Sequence, residues 1–154
     1  MRIVLQRVRR ASVRFDGETA GEIGVGLLIL VGAAAGDDEA TARRLAKKCA
    51  EMRIFGNQEG RFAASLLDIS GEALVVSQFT LLADTRKGRR PSFTGAAPSG
   101  VAEALIAAFV NELEALGLRV ATGSFGAMMD VELVNDGPVT IVVDSAELDR
   151  PRRS

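Results

Sequence analysis

Apolar and polar residues follow two different periods along the chain, and these periods predict two kinds of element. Short apolar or alternating runs dominate the first 31 residues and return after residue 72. Two longer stretches instead place apolar residues three or four positions apart, which is typical of amphipathic helices. The helices separate groups of strands and do not alternate with single strands. This order predicts an α+β domain with a compact, largely antiparallel curved sheet or β-barrel and two main helices.

Turn-forming residues divide the apolar runs into short strands. Asp16-Gly17 is a strong hairpin signal, because the turn needs positive φ angles that Gly adopts without steric cost. Asn135-Asp136-Gly137-Pro138 consists of four turn formers and predicts a turn between the last two strands. The predicted strands are residues 2–8, 12–15, 18–23, 25–31, 54–55, 73–82, 118–122, 128–134 and 139–143.

The two helices carry different start signals. The first begins after Gly36, where Asp37 or Asp38 can cap its unpaired amide groups. Ser99 is the predicted N-cap of the second helix, and Gly117 is placed to end it. The predicted buried face of the first helix is Ala42, Leu45, Ala46, Cys49 and Met52, and its solvated basic residues are Arg43, Arg44, Lys47 and Lys48. The apolar stripe of the second helix is Val101, Ala102, Leu105, Ile106, Ala108, Phe109, Leu113 and Leu116.

Composition excludes several kinds of catalytic site. The chain has no histidine, which removes Ser-His-Asp and Cys-His nucleophiles and His-based metal sites. Its single cysteine, Cys49, excludes an internal disulfide and a cysteine metal cluster. No ligand cluster suggests a metal or another cofactor, so we expect neither. With a net charge of -1, contact with nucleic acid requires a local basic patch.

Length and hydropathy indicate one domain that does not enter a membrane. A chain of 154 residues can bury one substantial core. We expect a single domain over residues 1–144 and a polar, basic, frayed tail over residues 145–154. The chain shows no apolar core of a secretion signal and no apolar run long enough to span a bilayer, so we expect a cytoplasmic protein.

The segment from residue 73 to residue 94 carries the strongest sign of function. An apolar strand runs into Ser77-Gln78-Phe79-Thr80, and hydrogen-bonding side chains within a buried strand are costly unless a partner satisfies them. They indicate either ordinary backbone contacts or a small polar pocket. The basic residues Arg86, Lys87, Arg89 and Arg90 follow in a long loop over residues 83–98. That loop is either a solvated surface or a patch that contacts nucleic acid.

A second segment is also a candidate for function: Asn135-Asp136-Gly137-Pro138-Val139-Thr140. A plain turn explains its composition. A cis bond between Gly137 and Pro138 would instead point two successive carbonyl oxygens in nearly the same direction. Two parallel carbonyl oxygens form an acceptor pair that suits an ammonium group.

The two segments together resemble the signature pair of the D-aminoacyl-tRNA deacylases. Ser77-Gln78-Phe79-Thr80-Leu81 and Asn135-Asp136-Gly137-Pro138-Val139-Thr140 match in order and in separation, and the resemblance runs from Met1 to about Val143. Further matching segments are Gln6-Arg7-Val8, Ala11-Ser12-Val13, Gly21-Glu22-Ile23-Gly24, Arg53-Ile54-Phe55 and Arg90-Pro91-Ser92-Phe93.

The resemblance implies an enzyme that hydrolyses the ester of D-aminoacyl-tRNA and spares the L-aminoacyl ester. It implies a homodimer of barrel-like protomers, with Gly137 and a cis Pro138 of one subunit entering the pocket of the other. Their carbonyl oxygens would hold the α-amino group, so that an L side chain would collide with the motif. Glycine has no side chain to exclude, so glycyl-tRNA should also be a substrate.

The resemblance also assigns roles within the pocket. Thr80 is a possible nucleophile, but an unactivated hydroxyl needs an adjacent base, and residues 77–82 contain none. We therefore favour attack by water, assisted by the ribose hydroxyl, with the backbone amides of Phe79 and Thr80 stabilising the oxyanion. Ser77 and Gln78 would position the ribose and the ester.

Three apolar residues match the family's pocket for the terminal adenine. Phe125 and Met129 would contact the base, and the small Ala102 would leave room for it. Packing in an ordinary core is the alternative role for these side chains. Arg86, Lys87, Arg89 and Arg90 are the candidate contacts to tRNA phosphates.

Two other functions stay open at this point. The first is a non-catalytic dimeric barrel that binds RNA or an amino acid, which the absence of a classical catalytic residue favours. The second is a hydrolase of other esters with Thr80 as its nucleophile.

Overall fold

The computed structural model describes residues 1–152, which form an α+β domain with eight strands and three α-helices. The strands are β1 (Arg2–Phe15), β2 (Glu18–Ile23), β3 (Gly26–Gly32), β4 (Phe55–Gly56), β5 (Phe62–Ala64), β6 (Glu72–Ser77), β7 (Arg119–Thr122) and β8 (Asp130–Asp144). The helices are α1 (Glu39–Glu51), α2 (Ser99–Ala115) and α3 (Ser145–Leu148), and a 3-10 turn spans Phe79–Leu82. Six strands form the larger sheet, and β4 and β5 form a separate pair. The predicted fold class is confirmed.

Strand β1 organises the larger sheet, because neighbouring strands pair with both of its edges. On one edge, its first half pairs antiparallel with β3 and its second half pairs antiparallel with β2. On the other edge, it pairs antiparallel with β8 along almost its whole length. The prediction of two short strands here is wrong, because this continuous pairing carries the strand through the exposed polar residues Arg9 and Arg10.

Strand β8 also replaces two predicted strands and the turn between them at residues 135–138. Both halves of β8 pair with β1 in the same direction, so the segment between them does not reverse the chain. The pairing register shifts between Gln6 and Val8, where the single residue Arg7 lies opposite residues 136–139. These four residues form a large bulge opposite a single residue, which locally bends the strand.

The larger sheet curves until its outer strands nearly meet. Strands β3 and β6 pair in parallel, as do β6 and β7, so the sheet is mixed. Strand β7 then approaches β2, at the far end of the strand order. A Cβ atom added to Gly21 of β2 would lie 2.7 Å from the carbonyl oxygen of Thr122. Only a residue without a side chain permits this approach.

The core lies on both faces of the sheet. Leu27, Ile29 and Val31 of β3 pack against the two long helices, whereas Leu28 and its neighbours fill the inside of the curved sheet. Burial on both faces explains why β3 is a continuous apolar run. The predicted hairpin turn is also present, with positive φ angles at Asp16 and Gly17.

The helix ends agree with the predictions in part. The Asp38 carboxylate accepts a hydrogen bond from the Thr41 backbone N–H at 2.8 Å, and this bond lowers the pKa of Asp38. Pro98 is the N-cap of α2, and no side-chain cap is present, so the predicted Ser99 cap is wrong. The fixed φ of Pro98 already starts the helix. Val101 lies at the edge of the apolar stripe and is exposed.

The segment after β8 is more ordered than predicted. Residues 145–148 form α3, and the buried Ser145 hydroxyl accepts a hydrogen bond from the Met1 ammonium group at 2.7 Å. Asp149 pairs with Arg44 of α1 at 2.9 Å. Fraying is therefore wrong for the first part of the tail, and residues 153–154 lie outside the described residues. Within residues 1–152, no helix is long and apolar enough to cross a membrane.

Candidate active site

A cleft of about 790 Å³ opens where the parallel strands β3 and β6 end and α2 begins. Val31 and Ser77 pair at the ends of the two strands, and Ala102 lies in the first turn of α2. Seven of the predicted site residues line this cleft: Ser77, Gln78, Phe79, Thr80, Ala102, Phe125 and Met129. The fold thus brings together residues that lie up to 52 positions apart in the sequence.

The polar segment leaves the sheet instead of continuing the predicted strand. Strand β6 ends at Ser77, and the chain then enters the 3-10 turn Phe79–Leu82. The Gln78 amide still donates to the Val31 carbonyl oxygen at 2.8 Å. The strand ends here because its neighbour β3 ends at Gly32, whose contacts leave no space for a side chain beside Gln78.

Two backbone amides point away from any protein acceptor at the start of this turn. The first N–H groups of a 3-10 turn have no partner within the turn. Among residues 1–152, no carbonyl or side chain accepts a hydrogen bond from the amides of Phe79 and Thr80. Both residues line the cleft and are exposed. Two adjacent unpaired N–H groups form a site that suits a developing negative charge on oxygen.

The Thr80 hydroxyl has an amide partner and no base beside it. Its Oγ1 accepts a hydrogen bond from the Gln78 side-chain amide. Asp84 is the acid that follows most closely in the chain, and its carboxylate pairs with Arg86 at 2.6 Å. Hydrogen bonds from Arg86 lower the pKa of Asp84 to about 2. A carboxylate with so low a pKa is a weak proton acceptor, and among residues 1–152 no acidic or basic side chain forms a hydrogen bond with the Thr80 hydroxyl.

The rest of the cleft is apolar and contains aromatic rings. Ala102 is buried, and Phe125 and Met129 are half-buried, so the last two are neither closed core nor open surface. Phe79 is 57% exposed, and its ring packs edge-on against that of Phe93, with 5.1 Å between the ring centroids. A flat, apolar, partly open wall suits a planar ligand such as a nucleobase.

The Gly137-Pro138 segment lies outside this cleft in the same chain. Both residues are exposed, and the peptide bond between them is cis. Arg7 fixes the segment from the opposite strand: its Nε donates to the Asp136 carbonyl oxygen at 3.0 Å, and one Nη donates to that of Ile54 at 2.7 Å. A Cβ atom on Gly137 would lie 2.7 Å from the Arg7 guanidinium, so a side chain there would displace Arg7.

The four basic loop residues are exposed but not equivalent. Arg86 is bound to Asp84 through two side-chain hydrogen bonds. Within residues 1–152, no carboxylate pairs with Lys87, Arg89 or Arg90. The loop is closed at its base by backbone hydrogen bonds between Asp84 and Ser92, at 2.7 and 2.9 Å. The part of the loop with unbalanced positive charge is therefore shorter than the sequence indicates.

Sequence reasoning assigned no role to Arg7 or Phe93. Both lie in segments that carry the family resemblance, Gln6-Arg7-Val8 and Arg90-Pro91-Ser92-Phe93. Arg7 is a charged residue within an apolar strand, and its side chain is only 14% exposed. A buried cation requires partners. An arginine in a predicted buried strand therefore indicates that partners exist. The sequence pattern does not identify them, because they lie 47 and 129 positions away.

The fold and the site define a class of protein, a nearly closed α+β barrel whose cleft carries unpaired backbone amides. Comparison with known proteins gives the family. A family model described as D-Tyr-tRNA(Tyr) deacylase matches residues 4–144. The chain belongs to this family, and the predicted resemblance is confirmed. It is 63% identical over 152 residues to the D-aminoacyl-tRNA deacylase of Roseiflexus castenholzii, covering 99% of this chain and 97% of the relative. Identity to the enzyme of the same name from Chloroflexus aurantiacus is 60%, covering 100% and 96%.

Solved structures share the fold. A structure titled as a c-Myc DNA unwinding element binding protein superposes with a TM-score of 0.87 at 37% identity, covering 94% of this chain and 98% of that one. A probable eukaryotic D-amino acid tRNA deacylase superposes with a TM-score of 0.83 at 17% identity, covering 92% and 97%. The second likeness is one of fold alone.

We expect Arg7→Met to destabilise the protein by about 2–3 kcal/mol, because two carbonyl oxygens and the Asp136 carboxylate lose a charged donor. Urea unfolding measures this loss. Arg9→Met is the matched control, since its side chain is 73% exposed and lies 3.7 Å from the same carboxylate. We expect the control to change the free energy of unfolding by less than about 0.5 kcal/mol. Equal effects of the two substitutions would contradict the role of Arg7.

Proposed function

We propose that this protein hydrolyses the ester bond of D-aminoacyl-tRNA and releases a free D-amino acid and tRNA. Family membership makes it a hydrolase that acts on aminoacyl-tRNA. The observation that carries the proposal within the structure is the pair of unpaired amides, on Phe79 and Thr80, in a cleft with an aromatic wall. Such donors stabilise the oxyanion that forms on an ester carbonyl, and such a wall suits the base of the adenosine that bears the ester.

The reaction needs no ionisable side chain. Water attacks the ester carbonyl carbon, and the oxyanion that forms accepts hydrogen bonds from the Phe79 and Thr80 amides. The C–O bond to the ribose then breaks, and a proton from the attacking water ends on the departing ribose oxygen. We assign orientation of the water to the neighbouring ribose hydroxyl, and positioning of the ribose and ester to Ser77 and Gln78.

The terminal adenine occupies the apolar part of the cleft in this proposal. Phe125 and Met129 supply its contact surface, and the small side chain of Ala102 leaves space beside it. Phe125 and Met129 are half-buried: each packs against a core cluster on one side and lines the cleft on the other, which supports this role. Base stacking on an aromatic ring is independent of the amino acid carried by the tRNA.

We infer a homodimer in which Gly137 and Pro138 of the partner subunit complete the site. Their exposure and their position outside the cleft of their own chain support this arrangement. Exposed apolar side chains at the mouth of the cleft support it too, with Met128 at 92% and Val131 at 37% exposure. With Phe79, which is 57% exposed, they gather exposed apolar side chains around one cleft, which suits contact with another protein. Sedimentation that shows an active monomer would overturn the shared site.

The shared site explains chiral selection. The carbonyl oxygens of the Gly137-Pro138 segment hold the α-ammonium group of the aminoacyl moiety. With that group and the ester carbonyl fixed, a D side chain points outward and an L side chain collides with the segment. Glycyl-tRNA carries no side chain and enters as well.

The test of the function is loss of ester from matched D-tyrosyl-, L-tyrosyl- and glycyl-tRNA. We expect the D-tyrosyl and glycyl esters to disappear rapidly, and the L-tyrosyl ester to survive at its spontaneous rate. Equal loss of D and L esters would contradict the chiral selection. Binding of tRNA without loss of any ester would support a non-catalytic RNA-binding barrel instead.

Substitution of Thr80 separates water attack from a covalent mechanism. We expect Thr80→Ala to retain deacylation within about tenfold, because the backbone amide remains and only an orienting hydroxyl is lost. Single-turnover rates measure this, with the exposed Thr19→Ala as the control. A Thr80 nucleophile predicts a loss of about 10⁴-fold or more and a trapped acyl-enzyme.

The basic loop should contribute salt-dependent affinity. Lys87, Arg89 and Arg90 are the proposed phosphate contacts, and Arg86 contributes less because Asp84 offsets its charge. We expect each of Lys87→Gln, Arg89→Gln and Arg90→Gln to reduce the slope of log affinity against log salt by about one. Titration of tRNA at several salt concentrations measures it. Lys48→Gln on α1 is the control, and an equal effect there would indicate a general charge effect.

A further inference from the structure

A second groove of about 280 Å³ continues from the main cleft along the side of α2. Ser77, Ile106 and Phe125 line both spaces, so the two are adjacent and share the Phe125 side chain. The proposed function gives this groove no role. Its floor and its rim differ in chemistry, and that difference indicates what it can bind.

The floor is apolar. Ile106 and Val110 are half-buried, and Ala107 lies exposed between them with a side chain of one carbon. Val75 closes the bottom at 2% exposure. An apolar floor beside the half-buried Phe125 ring provides a stacking surface for a planar ring.

The rim carries polar side chains without partners. Glu103 and Asn111 line the groove, and within residues 1–152 no side chain or backbone group forms a hydrogen bond or ion pair with either side chain. They lie eight residues apart on α2, on the same face and about 12 Å apart along the axis. One end of the groove therefore offers a carboxylate acceptor, and the other offers an amide that both donates and accepts.

We propose that this groove binds the base of the nucleotide that precedes the terminal adenosine, which is a cytidine in tRNA. The proposal rests on the proposed function, because the adenine must first occupy the main cleft beside Phe125. The next base then lies beyond the Phe125 ring, which is where the groove begins. The 3′ end of the tRNA passes from the main cleft into the groove at the Phe125 side chain.

The rim carboxylate matches the hydrogen-bonding edge of cytosine. The exocyclic amine on that edge is a donor and suits the Glu103 carboxylate. Uracil places a carbonyl oxygen where cytosine has its amine. That oxygen would face the Glu103 carboxylate, so the groove selects against uracil.

Short esters test the groove separately from the reaction. The substrates are D-tyrosyl-adenosine and the D-tyrosyl esters of the dinucleotides CpA and UpA, with D-tyrosyl-tRNA as the reference. We expect kcat/KM for CpA to exceed that for adenosine by about tenfold, the size of one stacked base. We expect kcat/KM for the UpA ester to be several-fold lower than that for the CpA ester.

Two substitutions give matched comparisons. Ala107→Leu fills the floor and is expected to bring the CpA-to-adenosine ratio close to one, whereas Ala104→Leu, exposed on the same helix and outside both spaces, is expected to keep it. Glu103→Gln is expected to reduce the CpA-to-UpA preference several-fold, because an amide can donate to the uracil oxygen.

The outcomes separate the two proposals. If D-tyrosyl-tRNA is hydrolysed but adenosine, CpA and UpA esters react equally, the groove does not bind this base and the deacylase function stands. If Ala107→Leu leaves the CpA-to-adenosine ratio of kcat/KM unchanged, the proposed binding of this base in the groove is also wrong and the deacylase function stands. If no ester reacts, including that of tRNA, the proposed function itself fails.

Discussion

Pairing along both edges of β1 is the interaction on which the rest of the structure depends. The strand holds β2 and β3 on one edge and β8 on the other, so it places the hairpin, the central parallel pair and the last strand relative to one another. Where that pairing is interrupted, opposite Arg7, four residues of β8 leave the ladder. The bulge is stable because Arg7 satisfies the carbonyl groups around it. One edge of β1 thus builds the cleft, and the other presents Gly137 and Pro138.

The hydrogen bonding of the backbone also explains the chemistry proposed for the cleft. A strand end leaves amide groups unpaired, and a 3-10 turn leaves them pointing in nearly one direction. At the end of β6 these groups are the amides of Phe79 and Thr80, which have no acceptor among residues 1–152 and belong to residues that line the cleft. An aminoacyl ester is activated enough for such donors to supply much of the stabilisation that its hydrolysis needs. The absence of histidine is then consistent with an enzyme, and no longer favours a binding protein.

Local sequence patterns predicted most of the elements, but not the short elements β5 and α3 or the places where distant segments meet. The strand at 18–23, its turn at Asp16-Gly17 and the start of α1 at Asp38 follow from neighbouring residues, and the structure confirms them. The 3-10 turn was missed because Leu81 and Leu82 continue the apolar pattern of β6, and the end of β3 decides where the strand stops. The continuity of β8 was missed because four turn formers normally reverse a chain. They do not do so here, since both flanking halves pair with β1.

The candidate site was predictable in composition but not in arrangement. Seven of its residues line one cleft, yet the Gly137-Pro138 segment does not belong to the cleft of its own chain. The charge of the loop also depends on structure, because Asp84 offsets Arg86 and leaves three cations for an anionic partner. With a net charge of -1, the protein has only a weak general attraction for RNA. In the proposed complex, affinity for tRNA then comes from local contacts, namely these three cations and the groups that line the cleft.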